Sequence, residues 1–221
     1  MIGPGTEPGI HLLGTISAAA NRGAQIKDGH LQLRASDLTG TRKQSQPRNL
    51  IIFLVDASGS MAARDRLQAV TGTITSLLAE AYTKRDHVAV ISVRGAKPTT
   101  ILEPTSSIDL AIGALAQART GGKTPLCAGM VLADHVARRA VNKDGAVNPI
   151  IVLVTDGRAT DGSLKEAAPV LADWPCIVVD SERGGRVRLG LAKELAAQIG
   201  ATCVNLTELS SGLIRGTLIA N

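Results

Sequence analysis

Two unbroken apolar runs, Leu50–Val55 and Ile150–Val154, constrain this chain more than any other feature. Each has the length of a strand, and neither alternates apolar with polar residues. That pattern predicts strands covered on both faces, as in a parallel sheet flanked by helices. Each run also leads into an aspartate. The first continues as Asp56-Ala57-Ser58-Gly59-Ser60-Met61 and the second as Thr155-Asp156-Gly157.

The segments between and after these runs alternate in period. Arg64–Tyr82 carries Leu67, Val70, Ile74, Leu77, Leu78 and Ala81 at helical spacing. Val88–Val93 and Thr99–Leu102 read as strands joined by a turn with Gly95 and Pro98. Ile108–Ala118, Pro125–Ala140, Leu164–Ala172, Leu189–Ile199 and Ser210–Ile219 read as helices, and Cys176–Val179 and Thr202–Leu206 as strands. This βα alternation predicts an α/β fold, a doubly wound, mostly parallel sheet with helices on both faces. Residues 1–48 have weaker periodicity and are expected to form an N-terminal extension that packs on or leads into the domain at 49–221. Within the extension, Ile10–Asn21 suits a short helix, His30–Arg34 a short strand and Lys43–Pro47 a loop.

Composition excludes several function classes. The chain has 221 residues, 44% of them apolar, enough for a large core. Its three aromatics, Phe53, Tyr82 and Trp174, are too few for the stacking platforms that bind single-stranded nucleic acid. The net charge of +5 is spread along the chain without the basic stripe that duplex binding uses, so no nucleic acid is expected. The local concentration at Arg183, Arg186 and Arg188 suits an acidic partner. No apolar run is long enough to span a membrane, and Met1–Gly14 lacks the pattern of a secretory signal. Cys127, Cys176 and Cys203 are isolated in sequence and sit among apolar residues, and the four histidines form no zinc-binding spacing. A reducing, cytoplasmic setting is expected.

Ligands of such sheets bind beyond the carboxyl ends of the strands. Three segments are expected at that edge: the one with Asp56, Ser58 and Ser60, the one with Asp156, and Gly121-Gly122-Lys123-Thr124-Pro125 at the start of a helix. Together they offer two carboxylates and three hydroxyls, hard oxygen donors that suit Mg²⁺, Mn²⁺ or Ca²⁺. Each residue also has an ordinary structural use. Thr124 before Pro125 suits an N-cap, Ser58 and Ser60 suit caps of the next helix, and Asp156-Gly157 suits a turn. Those uses do not require convergence at one sheet edge, whereas a metal site does.

The set Asp56, Ser58, Ser60, Thr124 and Asp156 resembles the metal-ion-dependent adhesion site of von Willebrand factor A, or integrin I, domains. The resemblance implies that Ser58, Ser60 and Thr124 coordinate Mg²⁺ or Mn²⁺, with Asp56 and Asp156 acting directly or through water. It also implies a coordination position left for a partner's carboxylate.

A narrower resemblance runs along most of the chain. Tyr82–Gly95, Leu102–Ser107, Val179–Glu182 and Val187–Ala192 are similar to the D-type subunit of magnesium chelatase, and Gly14–Arg22 and Asp37–Arg42 to the stretch ahead of its adhesion-site domain. Val93 stands where that family tends to have Phe, and Lys123 is inserted ahead of Thr124. The AAA+ module and acidic linker of the D subunits are absent from the sequence, which looks more like short accessory proteins linked to cobaltochelatase.

The resemblance implies a non-catalytic assembly subunit, joining an AAA+ ATPase subunit to a large chelatase subunit that inserts Mg²⁺ or Co²⁺ into a tetrapyrrole. Two other classes fit the residues less well. Gly122-Lys123-Thr124 imitates the end of a phosphate-binding loop, but Gln117 stands where its first glycine belongs and a helix is expected upstream. An enzyme acting alone is therefore disfavoured, including one using an aspartyl-phosphate at Asp56. An extracellular adhesin is disfavoured by the missing signal and disulfides.

Overall fold

The computed structural model describes residues 9–27, 29–41, 48–80, 86–182 and 189–219. The chain divides into two compact units, Met1–Gln46 with Lys143–Ala146, and Pro47–Asn142 with Val147–Asn221.

In the first unit, β1 (Gly9–Ile10) leads into α1 (Leu12–Asn21), and β2 (Ile26–Lys27) and β3 (His30–Leu31) form a small antiparallel ladder. β4 (Gly40–Thr41) returns antiparallel to β1. His11 starts α1 by accepting a hydrogen bond from the Gly14 amide at 2.8 Å. Asp37 holds the unit together. Its carboxylate accepts from Arg22 Nε at 2.8 Å, from Arg22 Nη2 at 2.6 Å and from the Arg34 amide at 2.8 Å. Its side chain is only 3% exposed, and the Arg22 guanidinium foremost lowers its pKa to about 2.

The second unit is built from β5 (Arg48–Asp56), α2 (Ser60–Glu80), β6 (His87–Val93), β7 (Thr99–Thr105), α3 (Ile108–Ala116), α4 (Leu126–Lys143), β8 (Val147–Thr155), α5 (Leu164–Ala167), β9 (Cys176–Asp180), α6 (Leu191–Ile199), β10 (Thr202–Asn205) and α7 (Ser211–Ile219). The sheet order is β10-β9-β8-β5-β6-β7, with every pairing parallel except the antiparallel edge strand β7. The expected α/β sheet is thus present, and β5 lies at its centre.

The unbroken apolar run of β5 follows from this position. Ile51, Phe53 and Val55 face the core beneath α2, α3 and α7, while Leu50, Ile52 and Leu54 face the core beneath α4 and α6. Phe53 is fully buried, so truncating it to Ala would cost roughly 3–5 kcal/mol. Gly129 lets α4 sit close on the sheet, because a Cβ there would stand 2.7 Å from Val93 Cγ2.

The structure moves several element boundaries. α2 begins at Ser60, four residues before the expected start, because the chain turns tightly after Asp56. The side chains of Leu77 and Leu78, and residues Ala81 and Tyr82, lie outside the described residues. β7 runs on to Thr105 and contains Pro104, which an edge strand accommodates because one side of it needs no donor. The expected helix Leu164–Ala172 is α-helical only to Ala167 and tightens into a 3₁₀ turn at Ala168–Leu171, where Pro169 lacks the amide needed to continue the α-helical ladder. The Arg183, Arg186 and Arg188 cluster lies outside the described residues. No helix among those described is long and apolar enough to cross a membrane.

Candidate metal centre

Asp56 ends the central strand and is fully buried. Its Oδ1 accepts the Ser58 amide at 2.8 Å, a local turn that carries the chain sharply into α2. Its Oδ2 is buried and makes no hydrogen bond. Burial pushes the Asp56 pKa up, and the hydrogen bonds of Ser58 and the Arg66 guanidinium offset only part of this. Nearby Asp156 raises it further. A buried carboxylate oxygen without a donor is costly unless a cation meets it.

The segment with Thr124 is fastened to this turn. The Gly121 amide donates to the Ala57 carbonyl at 2.7 Å, and Arg94 Nε donates to the Gly121 carbonyl at 3.3 Å. Thr124 is 6% exposed. Its amide donates to Thr160 Oγ1 at 3.1 Å, and its carbonyl accepts the Thr160 amide at 2.9 Å. The loop after β8 is thereby tied to the loop before α4.

Asp156 begins that loop. Its Oδ1 accepts the Arg158 amide at 3.1 Å, the same local turn that Asp56 makes. Gly157 follows with φ +82°, and a Cβ there would stand 2.4 Å from the Ala192 nitrogen, so the loop lies directly against the start of α6. The Asp156 side chain is 23% exposed, which leaves the site open on its side.

Four of the five expected residues therefore stand on three loops at one edge of the sheet, joined by backbone hydrogen bonds. Ser60 is the first residue of α2, and its side chain lies outside the described atoms. Among the described residues, no cluster of three His, Cys, Asp or Glu forms a metal site. The donor set is instead two carboxylates with hydroxyls, and the Oδ2 of Asp56, buried without a hydrogen bond, suits a hard divalent cation. Asp56, Ser58, Thr124 and Asp156, with Ser60, are the residues that would hold it.

Sequence reasoning missed two residues here. Arg66 on α2 is 3% exposed, with Nη1 3.6 Å from Asp56 Oδ2 and Nη2 3.5 Å from Asp156 Oδ2. Ser181, just after β9, accepts from Arg66 Nε at 2.7 Å. Helical spacing carries a signal for Arg66, because it shares the buried face of α2 with Val70 and Thr73.

The other candidate chemistries have less support. The element ahead of Gly121-Gly122-Lys123-Thr124 is helix α3, whereas a phosphate-binding loop opens from a strand. Burial raises the Cys176 thiol pKa to about 12, and burial followed by Asp161 raises that of Cys127 to about 11. Thiols so placed stay protonated at neutral pH and are poor nucleophiles and metal ligands.

Comparison with known proteins places the chain. Residues 51–158 match the von Willebrand factor type A domain. An uncharacterised Mycobacterium tuberculosis protein is 44% identical over 91% of this chain and 33% of its own length. The magnesium-chelatase 60 kDa subunit of Cereibacter sphaeroides is 39% identical over 74% of this chain and 30% of its own. The chain thus spans about a third of the length of these relatives. Among solved structures, a von Willebrand factor type A protein from Catenulispora acidiphila superimposes with a TM-score of 0.58 at 18% identity, covering 81% of this chain and 43% of that one. The chain belongs to the von Willebrand factor type A domain family and is related in sequence to magnesium-chelatase subunits.

Proposed function

We propose that this chain is the adhesion module of an ATP-dependent tetrapyrrole chelatase. In this reading it joins an AAA+ ATPase subunit to the large subunit that inserts Mg²⁺ or Co²⁺ as substrate, works in the cytoplasm and has no catalysis of its own. Residues 49–221 form the docking domain and 1–48 its extension. The relation to magnesium-chelatase subunits supports the class of complex. The observation that supports the docking role is the buried Asp56 carboxylate, with an oxygen that makes no hydrogen bond, at the edge where the Thr124 and Asp156 loops meet.

A Mg²⁺ or Mn²⁺ ion held by Asp56, Ser58, Ser60, Thr124 and Asp156 supplies an electrophilic position for a carboxylate of the ATPase subunit. Three of the five protein donors are uncharged hydroxyls, so the ion stays Lewis-acidic toward a further carboxylate. Lys123 and Arg158 are exposed in the two loops that carry Thr124 and Asp156, and suit an acidic partner surface by steering its approach. The deciding experiment is a pull-down with the purified ATPase subunit, with Mg²⁺ and with EDTA, using wild type and a Ser58→Ala, Ser60→Ala double variant. Binding should need Mg²⁺ in the wild type and be lost in the variant. Metal-independent binding of equal strength in both would reject docking through this site.

A further inference from the structure

We propose that Arg66 is the resident counter-cation of the metal centre. It balances Asp56 and Asp156 in the metal-free protein, leaves their oxygens available, and limits how tightly a divalent ion is held. The inference rests on the metal-site reading above.

The geometry separates two tasks of one guanidinium. Its hydrogen bonds go to neutral acceptors: Nε to Ser181 Oγ at 2.7 Å, and Nη1 to the carbonyls of Asp56 at 3.0 Å and Ser58 at 3.3 Å. These contacts pin α2 to the segments that end β5 and follow β9. Both carboxylates stand farther off, at 3.6 Å for Asp56 Oδ2 and 3.5 Å for Asp156 Oδ2. Charge-assisted hydrogen bonds close to about 2.7–2.9 Å, so Arg66 neutralises the carboxylates by proximity without occupying their lone pairs. The Oδ2 of Asp56 accordingly has no hydrogen bond although a cation faces it.

Arg66 removes one unit of negative charge from the buried side of the pair, while Arg158, 62% exposed with Nε 3.9 Å from Asp156 Oδ2, meets it only from the solvent side. An arriving divalent ion meets less attraction and shares the site with a fixed positive charge. In return, the loops are held in place before the ion arrives.

A purely structural tie and a counter-cation predict different signs. Losing a tie would loosen the ligands and weaken metal binding; losing a counter-charge strengthens it. The test compares wild type, Arg66→Met and Arg66→Lys by thermal melting in EDTA and in saturating Mn²⁺, and by calorimetric Mn²⁺ titration. In EDTA, Arg66→Met should melt roughly 10 °C lower, because a buried carboxylate loses its partner. Mn²⁺ should restore most of that loss, and its affinity should rise about tenfold. Arg66→Lys, which keeps the charge but cannot reach all three neutral acceptors, should melt lower yet bind Mn²⁺ much as wild type does. An Arg66→Met protein that binds Mn²⁺ no more tightly than wild type overturns the proposal while leaving the metal site standing. No Mn²⁺ binding by wild type overturns the metal site itself and this proposal with it. Should Arg66→Met not fold, the wild type still decides: the Arg66 Nε–H resonance should shift during Mg²⁺ titration with the midpoint of a calorimetric Mg²⁺ titration, and an unmoved resonance rejects the role.

Discussion

The carboxylate of Asp161 caps a helix to which it does not belong, accepting the Ala128 amide at 2.8 Å. It also accepts the Cys127 amide at 3.1 Å. Sequence alone assigns the cap of this helix equally well to Thr124, which precedes Pro125. Because Asp161 meets the first-turn amides of α4, those amides do not call on the Thr124 hydroxyl. The same contact holds the loop that begins at Asp156 against the helix that follows Thr124.

Asp161→Ala should therefore destabilise the second unit by about 1 kcal/mol, the usual cost of a lost cap. It should also have a chemical signature. Asp161 is, after burial, the main influence that raises the Cys127 pKa to about 11, so its removal should lower that value. Alkylation of Cys127 by iodoacetamide at pH 8.5–9, followed by peptide mass spectrometry, should be faster in the variant. An unchanged rate would show that Asp161 does not control this thiol.

Gly157→Ala should be among the most damaging single substitutions. The position has φ +82°, which L-residues rarely adopt, and the added carbon would lie 2.4 Å from backbone atoms of Leu191 and Ala192. Neither neighbour is a flexible side chain, so the loop after β8 must move away from α6. A loss of at least about 3 kcal/mol in chemical denaturation is expected, with Asp156 displaced and Mn²⁺ binding weakened together. Gly121→Ala offers a contrast: its φ is +100°, but the added carbon meets nothing within 4 Å, so only the backbone strain applies and the loss should be smaller.

The sheet and much of the candidate site were legible because both depend on local patterns. Leu50–Val55 and Ile150–Val154 can be wholly apolar only if both faces are covered, and that placed their ends, with Asp56 and Asp156, at a ligand-binding edge. Helical spacing marks Arg66 as buried, but its meeting with Ser181 was not legible, because the two are 115 positions apart in sequence and neither residue type marks the encounter. Asp161 was missed for the same reason, as a helix cap supplied by a distant segment has no local spacing. The 3₁₀ turn at Ala168–Leu171 was legible in principle, since Pro169 cannot continue the ladder of an α-helix.

Acid should weaken the first unit through Asp37. Its folded pKa of about 2 lies below the unfolded value, so the stability it contributes is complete above about pH 4 and is lost as pH falls toward 2. Amide hydrogen exchange of α1, followed between pH 5 and pH 2, should show protection falling through that window. Asp37→Asn should have lower protection at pH 5 and little further loss on acidification. An equally steep decline in the variant would assign the acid sensitivity to another group.

Asp56→Asn should separate stability from metal binding. Asparagine keeps the shape of the side chain, and its Oδ1 can still accept the Ser58 amide, which Asp56 meets at 2.8 Å. What it removes is a charge that the site accommodates poorly, since burial outweighs Ser58 and Arg66 in raising the Asp56 pKa. A carboxylate with a raised pKa in the folded state opposes folding at neutral pH, so the neutral isostere should melt no lower than wild type in EDTA. Arg66 retains its hydrogen bonds to Ser181 and to the carbonyls of residues 56 and 58, and it retains the nearby Asp156 carboxylate. In calorimetry, however, Mn²⁺ binding should fall by at least about tenfold, because one of two anionic oxygen donors is gone. The melting temperature of the variant should then rise less at a given Mn²⁺ concentration than that of wild type. Asp56→Asn that melts far below wild type in EDTA would show the carboxylate to be a structural element first. Unaltered Mn²⁺ affinity would remove Asp56 from the ligand set.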